Sequence, residues 1–311
     1  MSITVVGSIA YDAVRTPHGR RERMLGGAAT HFSLAASFFD TVRPVGPVGA
    51  DFAPEDLRTL STRGTIADDV VTVADGETFF WSGVYGEDLN SRQTLETRLG
   101  VFAEFVPRLS AAARACEVLF LANIQPSLQA SVLDQCDGPR FTALDSMDLW
   151  IETAREDLVR VIERVDCVIL NDSEVRQLSG RGTLPAAARE LLELGPSAVI
   201  AKRGEYGAAL FTGEGFFSLP AYPLDAVVDP TGAGDTFAGG VLGYLAAQRE
   251  RRLDHDLLAG AMAYGTALAS FNVQEFGTER LARLSFDEVQ ARVAELHRFT
   301  QFETPFVKET V

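Results

Sequence analysis

The sequence predicts an α/β protein built on a doubly wound, mostly parallel sheet with helices on both faces and a small β lid. Three features indicate this fold. Short apolar strands alternate with helical stretches after Val106, a glycine-rich turn at 232–234 leads into an apolar helix, and β-branched and aromatic residues cluster within 67–105. Continuous apolar runs separated by helices are typical of a parallel sheet that is covered on both sides.

The most informative stretch is 228–240, a glycine-rich turn followed directly by a helical run. Pro230 prevents a helix before the turn, and Gly232 and Gly234 let backbone N–H groups approach a bound group closely. Free N–H groups and the positive end of the helix dipole converge there, so the turn is a candidate anion site. Asp235 stands at the same point, where a carboxylate beside an anion indicates chemistry; the alternative is a simple N-cap.

Residues 229–240, DPTGAGDTFAGG, resemble the C-terminal signature of the PfkB carbohydrate kinases, also called ribokinase-like kinases. The resemblance implies that the amides of Gly232, Ala233 and Gly234 form an anion hole for the transferred phosphoryl group, and that Asp235 deprotonates the acceptor hydroxyl. Companion segments extend it over most of the chain. It implies one kinase domain over 1–300, a β lid inserted as 11–25 and 67–105, and a C-terminal tail at 301–311.

Composition and charge narrow the classes of function. The 311 residues suffice for one large α/β domain with an appendage, and the net charge of −15 argues against nucleic acid as a partner. The cysteines at 116, 136 and 167 show no CxxC spacing and are predicted to be reduced, buried thiols. A strand candidate at 3–6 leaves no room for a signal peptide, and the apolar segment 257–271 is too short to span a membrane. We therefore expect a cytoplasmic protein.

The first strand candidate runs into Gly7 and then Asp12, without the G-x-G-x-x-G spacing of a dinucleotide fold. A carboxylate that accepts from two neighbouring hydroxyls can clamp a diol. The resemblance likewise implies that Asp12 grips sugar hydroxyls, whereas the alternative is an Asp that fixes a local turn.

A polar, basic segment from Arg15 to Arg23 follows and resembles a lid hairpin. Gly26 and Gly27 then precede an amphipathic run, which indicates a helix that starts close to a ligand. The family normally carries an Asn on this helix that bonds the sugar, and this chain has His31 at that position. We expect Gly26, Gly27 and His31 to contact the substrate; the alternative for His31 is a structural role.

Two strand-like runs at 68–73 and 77–84 flank Asp75-Gly76, a hairpin signal. Phe79, Phe80 and Trp81 place aromatic rings on both faces of the second run, where one face can close over a substrate. The alternative is a small two-sided core. Lids of this family often dimerise through their sheets, so the resemblance implies a homodimer. The segment 85–100, which carries Arg92, has no interpretable pattern.

Strand candidates at 118–121, 141–144, 167–170 and 198–201 follow, and Asn123, Asp145 and Asn171 stand at the ends of three of them. Ligands on such sheets gather beyond the carboxyl ends of the strands, so these polar groups indicate one common site.

Residues 171–174 resemble the N-x-x-E motif with which the family organises Mg²⁺ and phosphate. Asn171 and Glu174 share one helix face, and an amide and a carboxylate suit an ion that keeps several of its waters. The alternative is a capping box at a helix start. Lys202 follows the next strand, where a lysine can act as a point charge on nucleotide phosphates.

The segment 201–208 resembles the family's nucleotide loop, in which Gly204 and Gly207 let the backbone approach the adenosine. The resemblance also implies that the loop around Gly277 helps to build the adenine pocket. It further implies that Asp229 and Thr231 belong to a candidate K⁺ site.

We therefore expect an ATP- and Mg²⁺-dependent kinase that phosphorylates a hydroxymethyl group of a small unphosphorylated sugar or polyol. A nucleoside kinase of the adenosine type and a non-catalytic sugar sensor of the same fold are the alternatives. The helix N-terminus should lower the pKa of Asp235, which a loose phosphoryl-transfer transition state tolerates because the proton leaves late.

Overall fold

Thirteen strands occur in residues 2–301, the part of the chain that the computed structural model describes. They are β1 (Ile3–Val6), β2 (Ala10–Thr16), β3 (Gly19–Gly26), β4 (Val42–Gly49), β5 (Val70–Val73), β6 (Phe79–Tyr85), β7 (Arg92–Arg98), β8 (Val118–Leu121), β9 (Phe141–Leu144), β10 (Cys167–Asn171), β11 (Ala198–Lys202), β12 (Ala208–Thr212) and β13 (Gly215–Leu219). Residues 302–311 of the predicted tail lie outside the described residues.

Nine of these strands form the main sheet, in the order β13-β12-β11-β10-β9-β8-β1-β4-β5. Every neighbouring pair from β11 to β5 is parallel, and β12 and β13 add an antiparallel edge. The central strands are apolar on both faces because both faces are covered by helices. The predicted doubly wound, mostly parallel sheet is therefore confirmed.

Twelve α-helices lie in the same described range. They are α1 (Ala28–Ala36), α2 (Pro54–Leu60), α3 (Ala111–Arg114), α4 (Pro126–Leu133), α5 (Asp148–Thr153), α6 (Arg155–Ile162), α7 (Asp172–Ser179), α8 (Leu184–Glu193), α9 (Ala233–Ala247), α10 (His255–Asn272), α11 (Glu279–Arg283) and α12 (Phe286–Thr300). The segment 257–271 lies in α10 as predicted, and no helix of residues 2–301 is long and apolar enough to cross a membrane. The cysteines are free thiols, two of them buried.

Two apolar cores lie on opposite sides of the main sheet. One contains Phe32 of α1, Val241 of α9 and Met262 of α10; the other contains Leu158 of α6 and Leu191 of α8. The helix α9, which begins at the glycine turn, packs on both α1 and α10. The position of the glycine turn is therefore set by the core around α9.

Four strands form a second, smaller sheet in the order β3-β2-β6-β7. Asp12 and Trp81 are partners in the parallel pair β2 and β6, so their side chains lie on the same face of this sheet. Phe80 lies on the opposite face, where the guanidinium of Arg98 stacks 4.4 Å from the centroid of its ring. The predicted split of the aromatic residues between two faces is present, and it places Trp81 beside Asp12.

The small sheet takes less of the chain than the predicted segment 67–105. β5 pairs in parallel with Gly46–Gly49 at the edge of the main sheet, whereas β6 belongs to the small sheet. The hairpin predicted at Asp75-Gly76 is therefore wrong. An Asp-Gly dipeptide marks a turn but carries no information about which partners the flanking strands will find, and here the exposed edge of β4 is the partner.

Candidate active site

The predicted cluster lies beyond the carboxyl ends of the parallel strands. Asp145 follows β9, Asn171 ends β10 and Lys202 ends β11. Asn123 follows β8, but its Oδ1 accepts a hydrogen bond of 3.0 Å from Nε1 of Trp150. The sheet therefore brings three polar side chains to one edge and gives the fourth a structural partner.

Gly232 forms the N-cap of α9 with a φ of 73°, a conformation that favours glycine. The turn before it is held by Asp229, whose Oδ1 accepts from the backbone N–H of Thr231 at 2.9 Å. A Cβ on Gly234 would come within 3.1 Å of Nζ of Lys202. The backbone N–H of Ala233 donates to the carbonyl of Pro230 at 3.2 Å, so the predicted anion hole of three amides is wrong for Ala233. The amides of Gly232 and Gly234, which make no such bond within residues 2–301, lie close to the lysine ammonium at the helix start.

Asp235 lies in the first turn of α9, one residue beyond Gly234. Burial raises the pKa of its carboxyl to about 7; the charge of Asp145 raises it further, and that of Lys202 opposes the shift. The sequence led us to expect that the helix N-terminus would lower the pKa of Asp235, and this expectation is wrong. Desolvation exceeds the dipole effect here, and a carboxyl that titrates near neutral pH is suited to general-base work.

Lys202 and Asp145 form a partly buried ion pair, with Nζ 2.7 Å from Oδ2. Burial alone would lower the pKa of Lys202, but the carboxylates of Asp145 and Glu174 raise it above its ordinary value. The lysine is therefore a fixed positive charge within a group of carboxylates.

Asn171 and Glu174 form the capping box of α7. Oδ1 of Asn171 accepts from the backbone N–H of Glu174, and Oε2 of Glu174 accepts from that of Asn171, both at 2.8 Å. The alternative that the sequence left open is thus realised as local structure. Burial raises the pKa of Glu174 to about 7, with a further contribution from Asp145 and an opposing one from Lys202.

Asp12 is buried in the small sheet with 5% of its surface exposed. Burial raises the pKa of its carboxyl to about 7, and the charge of Asp229 adds to this; the backbone N–H of Gly27 opposes the shift. A Cβ on Gly26 would lie 2.0 Å from Oδ2 of Asp12, so only glycine fits beside the carboxyl. The structure therefore brings Asp12, Gly26 and Gly27 together.

His31 lies in α1 with 1% of its surface exposed, and burial lowers its pKa to about 4. Its Nδ1 lies 3.0 Å from Oδ1 of Asn272, at the end of α10. A Cβ on Gly232 would come within 2.4 Å of the imidazole ring. Asn272 carried no signal in the sequence, because its partners are 36, 41 and 241 positions away.

Arg92 is a second residue that sequence reasoning left out of the site. It begins β7, and its Cζ lies 5.3 Å from the centroid of the Trp81 ring. Its charge contributes to lowering the pKa values of both Asp12 and Asp235. The sequence alone did not indicate this role, because a single arginine in a polar segment is common. Only the pairing of β6 with β7 brings Arg92 over the site.

A cavity of about 680 Å³ opens beside the glycine turn. Lys202, Gly204, Gly207 and Gly234 contribute to its lining. Pro223, Leu224, Val227 and Val273 give it an apolar wall. The lid reaches the cavity through the β6–β7 loop, where Nδ2 of Asn90 donates to Oε1 of Glu205 at 3.2 Å. A volume with glycine backbone at one end and an apolar wall at the other suits a nucleotide.

Gly277 contacts Asp229, the residue that holds the start of the glycine turn. The backbone N–H of Gly277 donates to Oδ2 of Asp229 at 3.0 Å, so both carboxylate oxygens of Asp229 accept from amides. Gly277 packs against Met24 and lies outside the cavity lining described above. Its contact with a nucleotide, and K⁺ binding by Asp229 and Thr231, stay predictions.

The fold and the site together define a class of protein, the small-molecule kinases. This edge of the sheet carries a carboxyl that titrates near neutral pH, a glycine turn at a helix start and a fixed lysine. Together these groups can transfer a phosphoryl group to a hydroxyl. The family model described as pfkB family carbohydrate kinase matches residues 1–283. The chain belongs to this family and is a phosphotransferase with an alcohol group as acceptor.

Several known proteins are similar to this chain in sequence or in fold. Cytidine kinase from Thermococcus kodakarensis is 32% identical over 248 residues, which cover 78% of this chain and 87% of that protein. Aminoimidazole riboside kinase from Salmonella enterica, solved with aminoimidazole riboside and an ATP analogue, has a TM-score of 0.75 and 24% identity, covering 94% of this chain and 100% of that one. A provisionally named ribokinase II from E. coli, solved with ATP and Mg²⁺, has a TM-score of 0.74 and 20% identity, covering 94% and 99%. The last two comparisons show the fold alone.

Proposed function

We propose that this kinase transfers the γ-phosphoryl group of ATP to a hydroxymethyl group of a ribosyl acceptor, and that the acceptor is a nucleoside. One observation carries the proposal. Asp235, with a pKa raised to about 7, lies in the first turn of α9 beside the amides of Gly232 and Gly234, and Asp12 is close enough to interact with its charge. A base and a hydroxyl-binding carboxylate thus lie near each other beside an anion site.

The chemistry follows from these positions. The Asp235 carboxylate accepts the proton of the acceptor hydroxyl while the acceptor oxygen forms a bond to the γ-phosphorus. The bond from the γ-phosphorus to the bridging oxygen breaks, and ADP leaves with that electron pair. The amides of Gly232 and Gly234 stabilise the charge on the equatorial oxygens of the moving group, whereas that of Ala233 donates to the carbonyl of Pro230. Lys202 holds the phosphates as a point charge.

The residues near β10 fit Mg²⁺ as a partner of the nucleotide. Glu174 offers a hard oxygen ligand, and its raised pKa reports a buried carboxyl that a nearby cation would return to its ionised form. Asn171 and Glu174 would hold the ion with waters and phosphate oxygens, in line with the E. coli neighbour solved with ATP and Mg²⁺. The bound ion would neutralise charge on the nucleotide phosphates.

The acceptor side of the site supports a nucleoside. Trp81 lies on the same face of the lid as Asp12, with the Arg92 guanidinium beside its ring. A flat aromatic surface next to a diol-binding carboxylate suits a nucleobase attached to a ribose. The relatives named above act on cytidine and on aminoimidazole riboside, which are both ribosyl compounds.

The test is ADP release over a panel of nucleosides, free sugars and polyols, with Trp81→Ala and Phe80→Ala compared. These adjacent residues face opposite sides of one strand, so Phe80→Ala is the matched control. We expect Trp81→Ala to raise the KM for the nucleoside about tenfold or more, and Phe80→Ala to leave it within about twofold. Equal effects of the two substitutions on the KM would contradict the proposal that Trp81 stacks on the nucleobase.

Asp12→Ala tests the diol clamp with a 2′- or 3′-deoxynucleoside. The wild-type protein should discriminate strongly against the deoxy compound, because the Asp12 carboxyl is then left unpaired, and the variant should lose this discrimination. Asp68→Ala, at a carboxylate that is 81% exposed, is the control. A variant that still discriminates would overturn the role of Asp12.

A free sugar or polyol is the second candidate acceptor, because Asp12 can clamp a diol whether or not a base is attached. Turnover of free sugars that Trp81→Ala leaves unchanged, with no turnover of nucleosides, would favour it. Binding of acceptors without ADP release would instead indicate a sensor. The chain nevertheless retains Asp235 and the glycines of the turn, which a sensor would not need.

A further inference from the structure

The helix α1 carries a buried imidazole directly beneath the glycine turn. Only glycine fits at 232, because a Cβ there would lie 2.4 Å from Cγ, Cδ2 and Nδ1 of His31. The φ of 73° at Gly232 is also one that side chains rarely adopt. The ring of His31 therefore limits how far Gly232 can move toward α1.

The hydrogen bonds of Asn272 connect this ring to the turn. Nδ2 of Asn272 donates to the carbonyl of Thr231 at 2.8 Å, and its Oδ1 accepts from Oγ1 of Thr236 at 3.3 Å. Oδ1 is also the atom 3.0 Å from Nδ1 of His31. If the Asn272 amide were rotated by 180°, its oxygen would face the carbonyl oxygen of Thr231, and two acceptors would oppose each other. The Asn272 oxygen therefore faces His31. His31 must therefore donate from Nδ1.

We infer that His31 is a positioning residue for the anion hole, acting through its ring on Gly232 and through Asn272 on Thr231, rather than a ligand of the acceptor. The ring has almost no accessible surface, and its Nε2 is buried without a hydrogen-bond partner among residues 2–301. The inference rests on the proposed kinase function and departs from the acceptor contact expected for His31 from the sequence.

The two roles predict different kinetic changes. A positioning residue sets where the amides of Gly232 and Gly234 meet the phosphoryl group, so its loss lowers kcat, whereas loss of an acceptor ligand raises KM. His31→Asn installs the side chain that the family resemblance assigns to this position, but it leaves the ring volume under Gly232 empty. His31→Phe keeps a ring there and removes the bond to Asn272.

We expect His31→Asn to lower kcat about 10- to 100-fold and to change the acceptor KM by less than about threefold. His31→Phe should lower kcat less, because the ring under Gly232 is restored. His297→Phe, at an exposed histidine of α12, is the control. Full kcat with a tenfold higher acceptor KM in His31→Asn would overturn the inference in favour of an acceptor contact.

A measurement on the wild-type protein needs no turnover. The ¹⁵N chemical shifts of the His31 ring should report a neutral imidazole protonated at Nδ1 between pH 5.5 and 8. An Nε2–H tautomer would contradict the inference, even with an active enzyme. If no acceptor of the panel is phosphorylated, the proposed function fails, and the tautomer still decides whether His31 supports the turn.

Discussion

The pH dependence of turnover follows directly from the burial of Asp235. The residue works as a base only when ionised, and its raised pKa means that activity is lost as the pH falls through about 7. Asp235 alone should therefore reduce kcat/KM about 25-fold between pH 7.5 and pH 5.5. An unshifted Asp would lose almost nothing over this range.

The fall in kcat/KM at low pH is the acid limb of the pH–rate profile. Two neighbours of Asp235 should move this acid limb in opposite directions. Asp145 raises the pKa of Asp235 and Lys202 lowers it. Asp145→Asn should therefore shift the limb to lower pH and Lys202→Met to higher pH, each by about one unit. Asp134→Asn, at a carboxylate that is 68% exposed and paired with Arg164, should leave the limb in place.

The assay is initial-rate ADP release at limiting acceptor and saturating ATP, from pH 5 to 9. Asp12, whose pKa burial also raises to about 7, should steepen the limb, and Asp12→Asn should restore a slope of one. A profile that is flat from pH 5.5 to 7.5, or shifts of the same sign in Asp145→Asn and Lys202→Met, would refute the assignment of Asp235.

Three further predictions concern the lid and the turn. Arg92→Ala removes a charge that lowers the pKa of Asp235, so the acid limb should move to higher pH; an unchanged limb in the same assay would remove Arg92 from the site. Asn90→Ala breaks the contact from the lid to the nucleotide loop and should raise the Kd for ATP about fivefold by calorimetry, and equal affinity would show that the contact is incidental. Replacing K⁺ by Na⁺ or choline should lower the rate if Asp229 helps to hold a monovalent cation, and equal rates in all three buffers would exclude it.

The parts of the site that lie within one segment could be predicted from the sequence. The turn at 232–234 and the helix after it are set by local preferences of glycine and proline, and the buried strands by continuous apolar runs. The strands predicted at 118–121 and 141–144 have those bounds in the structure. Local chemistry was sufficient there because each element is defined by its own residues.

The parts that depend on distant contacts could not be predicted. The contact of His31 with Asn272 joins residues 241 positions apart, and the approach of Arg92 to the site depends on strand pairing. The direction of the Asp235 pKa shift was also wrong, because a helix start is visible in the sequence and burial is not. These are effects of packing, which a single segment does not encode.

The most direct test of the account is the turnover of Asp235→Asn with saturating ATP and the best acceptor of the panel. The substitution keeps the shape of the side chain and removes its ability to accept a proton. We predict a fall in kcat of about 10²–10⁴ with the Kd for ATP within about threefold of wild type. A variant that turns over at close to the wild-type rate would contradict the assignment of Asp235 as the base.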